Sequence, residues 1–180
     1  ASLQLTQAFT VSIFIRLNAP PTDWICLIGK GDFTQCNYGL WLSTDLTPAA
    51  KVHTTTSKQN RGAETSKPLP LHEWVHLALT YSKDGSLTLY ISGSAVATIS
   101  LEGTPVTGEG PIIIGKGMSG KHLDGEVQLA RVHDYALKPE RIFRLSETVK
   151  PMDNPLPVVP QIFMTKSCDY CRGKKMRCMR

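Results

Sequence analysis

A chain of 180 residues, 41% hydrophobic and 19% charged, is sized for one domain with at most a short appendage. It contains no run of about 18 apolar residues, which excludes a membrane-spanning helix. The formal charge of +5 is concentrated: Lys166, Arg172, Lys174, Lys175, Arg177 and Arg180 stand against Asp169 alone, and the rest of the chain holds 14 basic and 14 acidic groups. Attraction to a polyanion is therefore expected of the tail only. Residue 1 is Ala, and no basic start followed by an apolar run is present. We expect a processed chain or a fragment whose targeting signal cannot be read.

The segment Phe9 to Leu17 alternates, with Phe9, Val11, Ile13, Ile15 and Leu17 on one face, and predicts a strand. Phe14 interrupts the polar face, so that face is expected to be covered as well. Trp24 to Ile28, Tyr38 to Leu42 and a weaker Lys51 to Thr54 predict three more strands. Residues Thr55 to Pro70 are polar and read as a long surface loop. Trp74 to Tyr81 and Leu87 to Ile91 flank Asp84-Gly85, the turn chemistry of a hairpin. Ala95 to Leu101, Ile112 to Ile114 and Leu123 to Val132 bring the total to nine or ten strands, the pattern of an all-β sandwich. Leu137 to Leu145 predicts one helix, with Pro139 in its first turn and Ile142 and Leu145 at helical spacing. Pro151, Pro155, Pro157 and Pro160 then mark an extended linker. The expected division is a sandwich over 1–150, a linker over 151–165 and a basic, Cys-rich tail over 166–180.

In this order, several segments resemble the laminin-G-like or concanavalin-A-like jelly-roll family. They are Phe9 to Ile15, Ile28-Gly-Lys-Gly-Asp32 with Tyr38-Gly-Leu-Trp-Leu42, Glu73 to Tyr81 with Asp84-Gly85 and Leu87 to Gly93, and Ile112 to Gly115. Leu123-Asp-Gly125 and Arg131 to Leu137 with Pro139-Glu140 close the set, and the resemblance covers residues 3 to 147. It implies an antiparallel β-sandwich with one short C-terminal helix. Trp74, Leu77, Leu79, Tyr81, Leu87, Leu89 and Ile91 are expected to supply core and cross-strand aromatic packing.

Each chemically suggestive cluster has a plainer alternative. Asp124-Gly-Glu126 places two acids on one strand face, yet the Glu-x-Asp-x-Glu strand of the related glucanases is absent, and a solvated face is expected instead of a glycosidase pair. No catalytic residue is assigned. His76 is expected to be structural. Calcium is the cofactor the resemblance implies, held by loop oxygens. Many members carry an acid where this chain has Gln128, which leaves Asp23, Asp32, Asn37 and Asp124 as weak candidates, Asp32 and Asp124 foremost. Cys26 and Cys36 are either a disulfide pair or two buried thiols.

In the tail, Cys168-x2-Cys171-x6-Cys178 resembles the first half of a fungal-type binuclear zinc cluster. Three thiolates leave a single zinc one ligand short, so zinc stands beside a chance Cys-rich tail. The expected function is a non-catalytic, extracellular recognition module that binds a glycan or protein through its loops or concave sheet. The competing reading is a structural component of a large intracellular assembly, such as an organellar ribonucleoprotein. There Arg172, Lys174, Lys175, Arg177 and Arg180 would touch RNA phosphates on a zinc-stabilised tail.

Overall fold

The computed structural model describes residues 3–31, 36–56, 61–148 and 163–164. Eleven strands and one helix follow in the order β1 (Phe9–Leu17), β2 (Ile25–Gly31), β3 (Cys36–Leu42), β4 (Pro48–Val52), β5 (Arg61–Glu64), β6 (Trp74–Tyr81), β7 (Ser86–Ile91), β8 (Ser94–Ser100), β9 (Ile112–Gly117), β10 (Gly125–His133), α1 (Pro139–Thr148) and β11 (Phe163–Met164). One sheet runs β11-β10-β1-β6-β7-β8 and the other β5-β4-β3-β2-β9. Every pairing is antiparallel except that of the two-residue β11 with β10.

The core lies between the sheets and follows strand parity. Phe9, Val11, Ile13, Ile15 and Leu17 of β1 meet Leu77, Leu79 and Tyr81 of β6, Leu87 and Leu89 of β7, and Leu27, Tyr38, Leu40 and Val52 of the opposite sheet. The Phe9 ring sits 5.2 Å from Tyr38 and 5.4 Å from Tyr81, tying the two sheets at one end. The other face of β1 is also closed, as Phe14 suggested: its ring packs 4.7 Å from that of His76. On the same outer face α1 lays Ile142 over Ala78 and Tyr90.

Three expectations change. Trp74 belongs to the outer face, since Val75, Leu77, Leu79 and Tyr81 are the inward residues of β6 and a period of two puts Trp74 opposite them. It is half-buried, beneath the Arg16 guanidinium at 5.2 Å. The expected loop over Thr55 to Pro70 contains β5, which pairs with β4 from Ala49↔Glu64 to Val52↔Arg61. Within the segment read as a linker, Phe163–Met164 add to the edge of β10 as β11. The last proline of that segment is Pro160, so the backbone N–H groups after it are free to pair.

Irregularities fix which side chains face out. Leu129 and Ala130 together oppose Ile13 in the β1–β10 ladder, a bulge with Leu129 at φ 52. A second register shift, between Cys26 and Ile28 of β2, turns both Leu27 and Ile28 into the core. The strand phase is thereby reset so that Gly29 faces outward.

Candidate functional site on the outer five-stranded sheet

The outer face of the β5-β4-β3-β2-β9 sheet is built in two cross-strand rows. Lys116, Cys26, Trp41, Ala49 and Glu64 form one row, and Ile113, Gly29, Gly39, Lys51 and Gly62 form the next. The glycines make room for their neighbours. A Cβ on Gly39 would lie 3.0 Å from Trp41 Nε1, and one on Gly29 would lie 2.8 Å from Cys26 Sγ. The indole and the thiol therefore lie down over the glycines, and Cys26, Cys36, Trp41 and Ala49 are buried as a second apolar cluster with Trp24 and Ile113 packed on it.

Trp24 stands on this bed, half-buried and open to solvent on the remainder. Its backbone is held on both sides. Asp23 Oδ1 accepts the Trp24 N–H at 2.7 Å, and Asp23 Oδ2 accepts the Ser119 N–H at 2.7 Å. The Trp24 carbonyl accepts the Met118 N–H at 3.2 Å. The Ser119 bonds are the main cause that keeps the Asp23 carboxyl below its usual range. Lys51 reaches along the face to bring its ammonium 4.5 Å from the Trp24 ring centre, and Glu64 lies 3.7 Å from that ammonium. An aromatic plate edged by one cation and one carboxylate is thus assembled from the residue preceding β2 and from β4 and β5. Met118, 53% exposed, flanks it.

The outer face of the other sheet is more closed. His76 is 2% exposed and neither ring nitrogen has a hydrogen-bond partner. Burial first, and the Arg131 charge second, lower its pKa to about 4. This buried, neutral imidazole against Phe14 packs as part of the fold, as expected of His76.

Glu126 and Asp124, the two acids expected on one strand face, each have a partner. Glu126 is paired with the Arg16 guanidinium, including an Arg16 Nε donation at 3.1 Å. Asp124 accepts from Asn18 Nδ2 at 3.1 Å. The two carboxylates therefore have separate partners. Asn37 donates from Nδ2 to the Val106 carbonyl at 2.9 Å, and Gln128 stands opposite Phe14 on β10. Among the described residues no three His, Cys, Asp or Glu side chains gather as metal ligands. Asp32, the tail cysteines Cys168, Cys171 and Cys178, and the tail bases Arg172, Lys174, Lys175, Arg177 and Arg180 lie outside the described residues.

The Cys26–Cys36 disulfide is corrected: the two side chains are buried thiols that are not bonded to each other. Cys26 is in register with Trp41, and Cys36 with Gly31. The two are thus offset by five residues along β3, roughly 16 Å of strand, whereas a disulfide needs Cα atoms within about 7 Å. The Cys36 thiol instead donates to the Tyr38 carbonyl at 3.3 Å. Burial, with Cys36 as the lesser cause, pushes the Cys26 thiol far up, so it behaves as a small apolar group.

Sequence reasoning did not single out Trp24, Lys51 or Glu64 as a site. The parity of Trp24 with Cys26 was legible, but the meeting of Lys51 and Glu64 depends on β4–β5 pairing inside a segment read as a loop.

Comparison with known proteins supports this architecture. A pentraxin from Limulus polyphemus, described as a native heptameric SAP-like pentraxin, is 20% identical with a TM-score of 0.57, over 81% of this chain and 74% of its own. The CBM40 of Ruminococcus gnavus IT-sialidase, solved bound to α2,3-sialyllactose, is 15% identical with a TM-score of 0.62, over 78% of this chain and 83% of its own. Trypanosoma rangeli sialidase in complex with DANA is 17% identical with a TM-score of 0.57 over 78% of this chain, but the match spans only 22% of the sialidase. No curated protein sequence matches the chain. The laminin-G-type description of the concanavalin A-like lectin/glucanases superfamily matches residues 1–143, well over half the chain, and the protein belongs to that family.

Proposed function

We propose that this chain is a non-catalytic, extracellular glycan-binding module and that the Trp24 face of the five-stranded sheet is its binding surface. The observation that carries the reading is the half-exposed Trp24 indole, seated on the buried Trp41, Cys26 and Ala49 bed and edged by Lys51 and Glu64. A sugar ring offers an apolar face of C–H groups and a rim of hydroxyls. Trp24 meets the first by stacking, and the ammonium and carboxylate meet the second by charge-assisted hydrogen bonds. The Lys51–Glu64 pair is a partly exposed ion pair of the kind worth about 0–1 kcal/mol, so exchanging it for hydroxyls costs little. Pinning Trp24 through Asp23, Ser119 and Met118 reduces the ordering cost on binding.

Membership in a lectin/glucanase superfamily and likeness to a CBM40 solved with α2,3-sialyllactose agree with this reading. The partnered state of Glu126 and Asp124 supports the absence of catalysis. The test is a glycan array, followed by calorimetric titration of the best ligand with the wild-type chain and Trp24→Ala. Binding that Trp24→Ala reduces by about tenfold or more is expected; no glycan bound, or equal affinity in Trp24→Ala, would overturn the proposal.

A further inference from the structure

On the outer face of the six-stranded sheet, Thr10, Ser12, Phe14 and Arg16 of β1 alternate with its core residues. Ser12 stands between Arg131 of β10 and Ala78 of β6, and Phe14 stands beside His76. Opposite residues on one sheet face have Cβ atoms about 5 Å apart and diagonal ones about 7–8 Å. Ser12, His76 and Arg131 therefore share one patch. The helix α1 walls one side of it, with Ile142 on Ala78 and Tyr90. The segment after β10 walls another: Thr10 Oγ1 donates to the Tyr135 carbonyl at 2.9 Å and accepts the Leu137 N–H at 2.8 Å.

Apolar groups are enough to close such a face, as Phe14 and Ala78 do beside them. Here polar atoms are enclosed without hydrogen-bond partners: Ser12 Oγ, both ring nitrogens of His76 and Nη1 of Arg131. Ser12 is 0% exposed and His76 2%. Buried polar groups of folded proteins have partners in the large majority of cases, because an unmade bond leaves the full desolvation cost of the group. The charge here is also one-sided. Among the described residues Arg131 forms no ion pair, and burial lowers its pKa. Two residues along β10, burial first and then the charges of Arg131 and Arg141 lower the pKa of His133, against the opposing charge of Asp134.

We propose that Ser12, His76 and Arg131 form a binding site for an oxyanion, with the Arg131 guanidinium as its counter-charge. A water molecule satisfies a hydroxyl and an imidazole but leaves the guanidinium charge uncompensated. An oxyanion carries enough lone pairs to accept from all three residues, and its bond to Arg131 is charge-assisted. At neutral pH the His76 imidazole is uncharged, and one of its nitrogens is a donor. Ser12 and His76 are held in the middle of strands. Arg131 is only partly buried, so its long side chain is the part that moves to admit the ligand. A free inorganic ion and the sulfate ester of a larger ligand offer this same chemistry. The patch belongs to the sheet opposite the Trp24 face and is separate from the glycan surface.

The experiment is an NMR titration of the full chain at pH 7 with sodium sulfate, the ionic strength held constant with chloride. The expected result is a saturable shift of the His76 ring and Arg131 guanidinium resonances. Arg131→Gln is expected to weaken sulfate binding by about tenfold or more, and Trp24→Ala to leave it unchanged. Should Arg131→Gln not fold, Ser12→Ala removes a single oxygen and is expected to weaken binding by about fivefold. Glucose 6-sulfate forms a second arm: shifts with both probes assign the site to a sulfate ester, and shifts with the inorganic ion alone assign it to the free ion. No saturable shift with either probe, or sulfate affinity unaltered in a folded Arg131→Gln or Ser12→Ala variant, overturns the proposal.

Discussion

Lys51 lies over Trp24, its ammonium 4.5 Å from the indole centre, although 26 positions of sequence separate the two. A cation over an indole at a partly exposed site contributes about 0.5–1 kcal/mol, enough to orient both side chains without closing the face. Trp24→Ala is expected to lower glycan affinity by about 2 kcal/mol, near thirtyfold, while the thermal midpoint changes little. Trp41→Ala acts on the buried bed beneath and is expected to cost about 3–5 kcal/mol of stability. Paired denaturant melts and titrations of the two variants separate a binding residue from a supporting one.

Gly39→Ala tests how the plate is seated. Its new Cβ would fall 3.0 Å from Trp41 Nε1 and 3.1 Å from the Ile28 carbonyl. The Trp41 indole has to lift, and overpacking of this kind costs about 1–3 kcal/mol. The expected readout is a lowered denaturation midpoint together with a shift in tryptophan fluorescence. An unchanged midpoint would show that the indole does not rest on Gly39.

Trp74→Ala is expected to destabilise by about 1 kcal/mol, whereas Leu79→Ala, in the core between the sheets, is expected to cost about 2–5 kcal/mol. The larger side chain loses less because it covers an outer face and shares that cover with Arg16. Chemical denaturation of both variants at one pH checks the order.

His76 gives the fold an acid limb. Its pKa falls from 6.5 to about 4 on folding, so between these values the unfolded chain binds a proton that the folded chain does not. Stability is therefore fully present above about pH 6.5, falls with pH through that window, and levels off below about pH 4. Some 2.5 pH units of linkage correspond to roughly 3 kcal/mol at the acid end. His76→Leu is expected to lose this part of the pH dependence while keeping that of the carboxylates. Denaturant midpoints for both proteins at pH 7, 5.5 and 4.5 measure the difference, and parallel curves would contradict it.

Much of the architecture is written locally. The alternation of Phe9 to Leu17 required a strand with one apolar face, and Phe14 signalled a covered second face. Asp84-Gly85 marked the β6–β7 turn, where Gly85 has φ 85, and Pro139 stands at the start of α1 as its missing N–H allows. These features depend on backbone preferences and side-chain period over a few residues, so the chain carries them wherever it folds. The parity of Trp74 was equally local, and its true face is opposite to that of Leu77, two residues beyond its neighbour Val75.

What the tertiary structure alone decided is the pairing of distant segments. Cys26 faces Trp41, not Cys36, because the β2–β3 ladder runs from Ile25↔Leu42 to Gly31↔Cys36. The four residues from Arg61 to Glu64, only one of them a buried apolar side chain, become a strand because β4 offers an edge to pair with, and that pairing delivers Glu64 to Lys51. Trp24, Lys51 and Glu64 form one surface through hydrogen-bond registers across β2, β3, β4 and β5. Such registers are set by the summed packing of two sheets, a quantity that no short stretch of sequence contains.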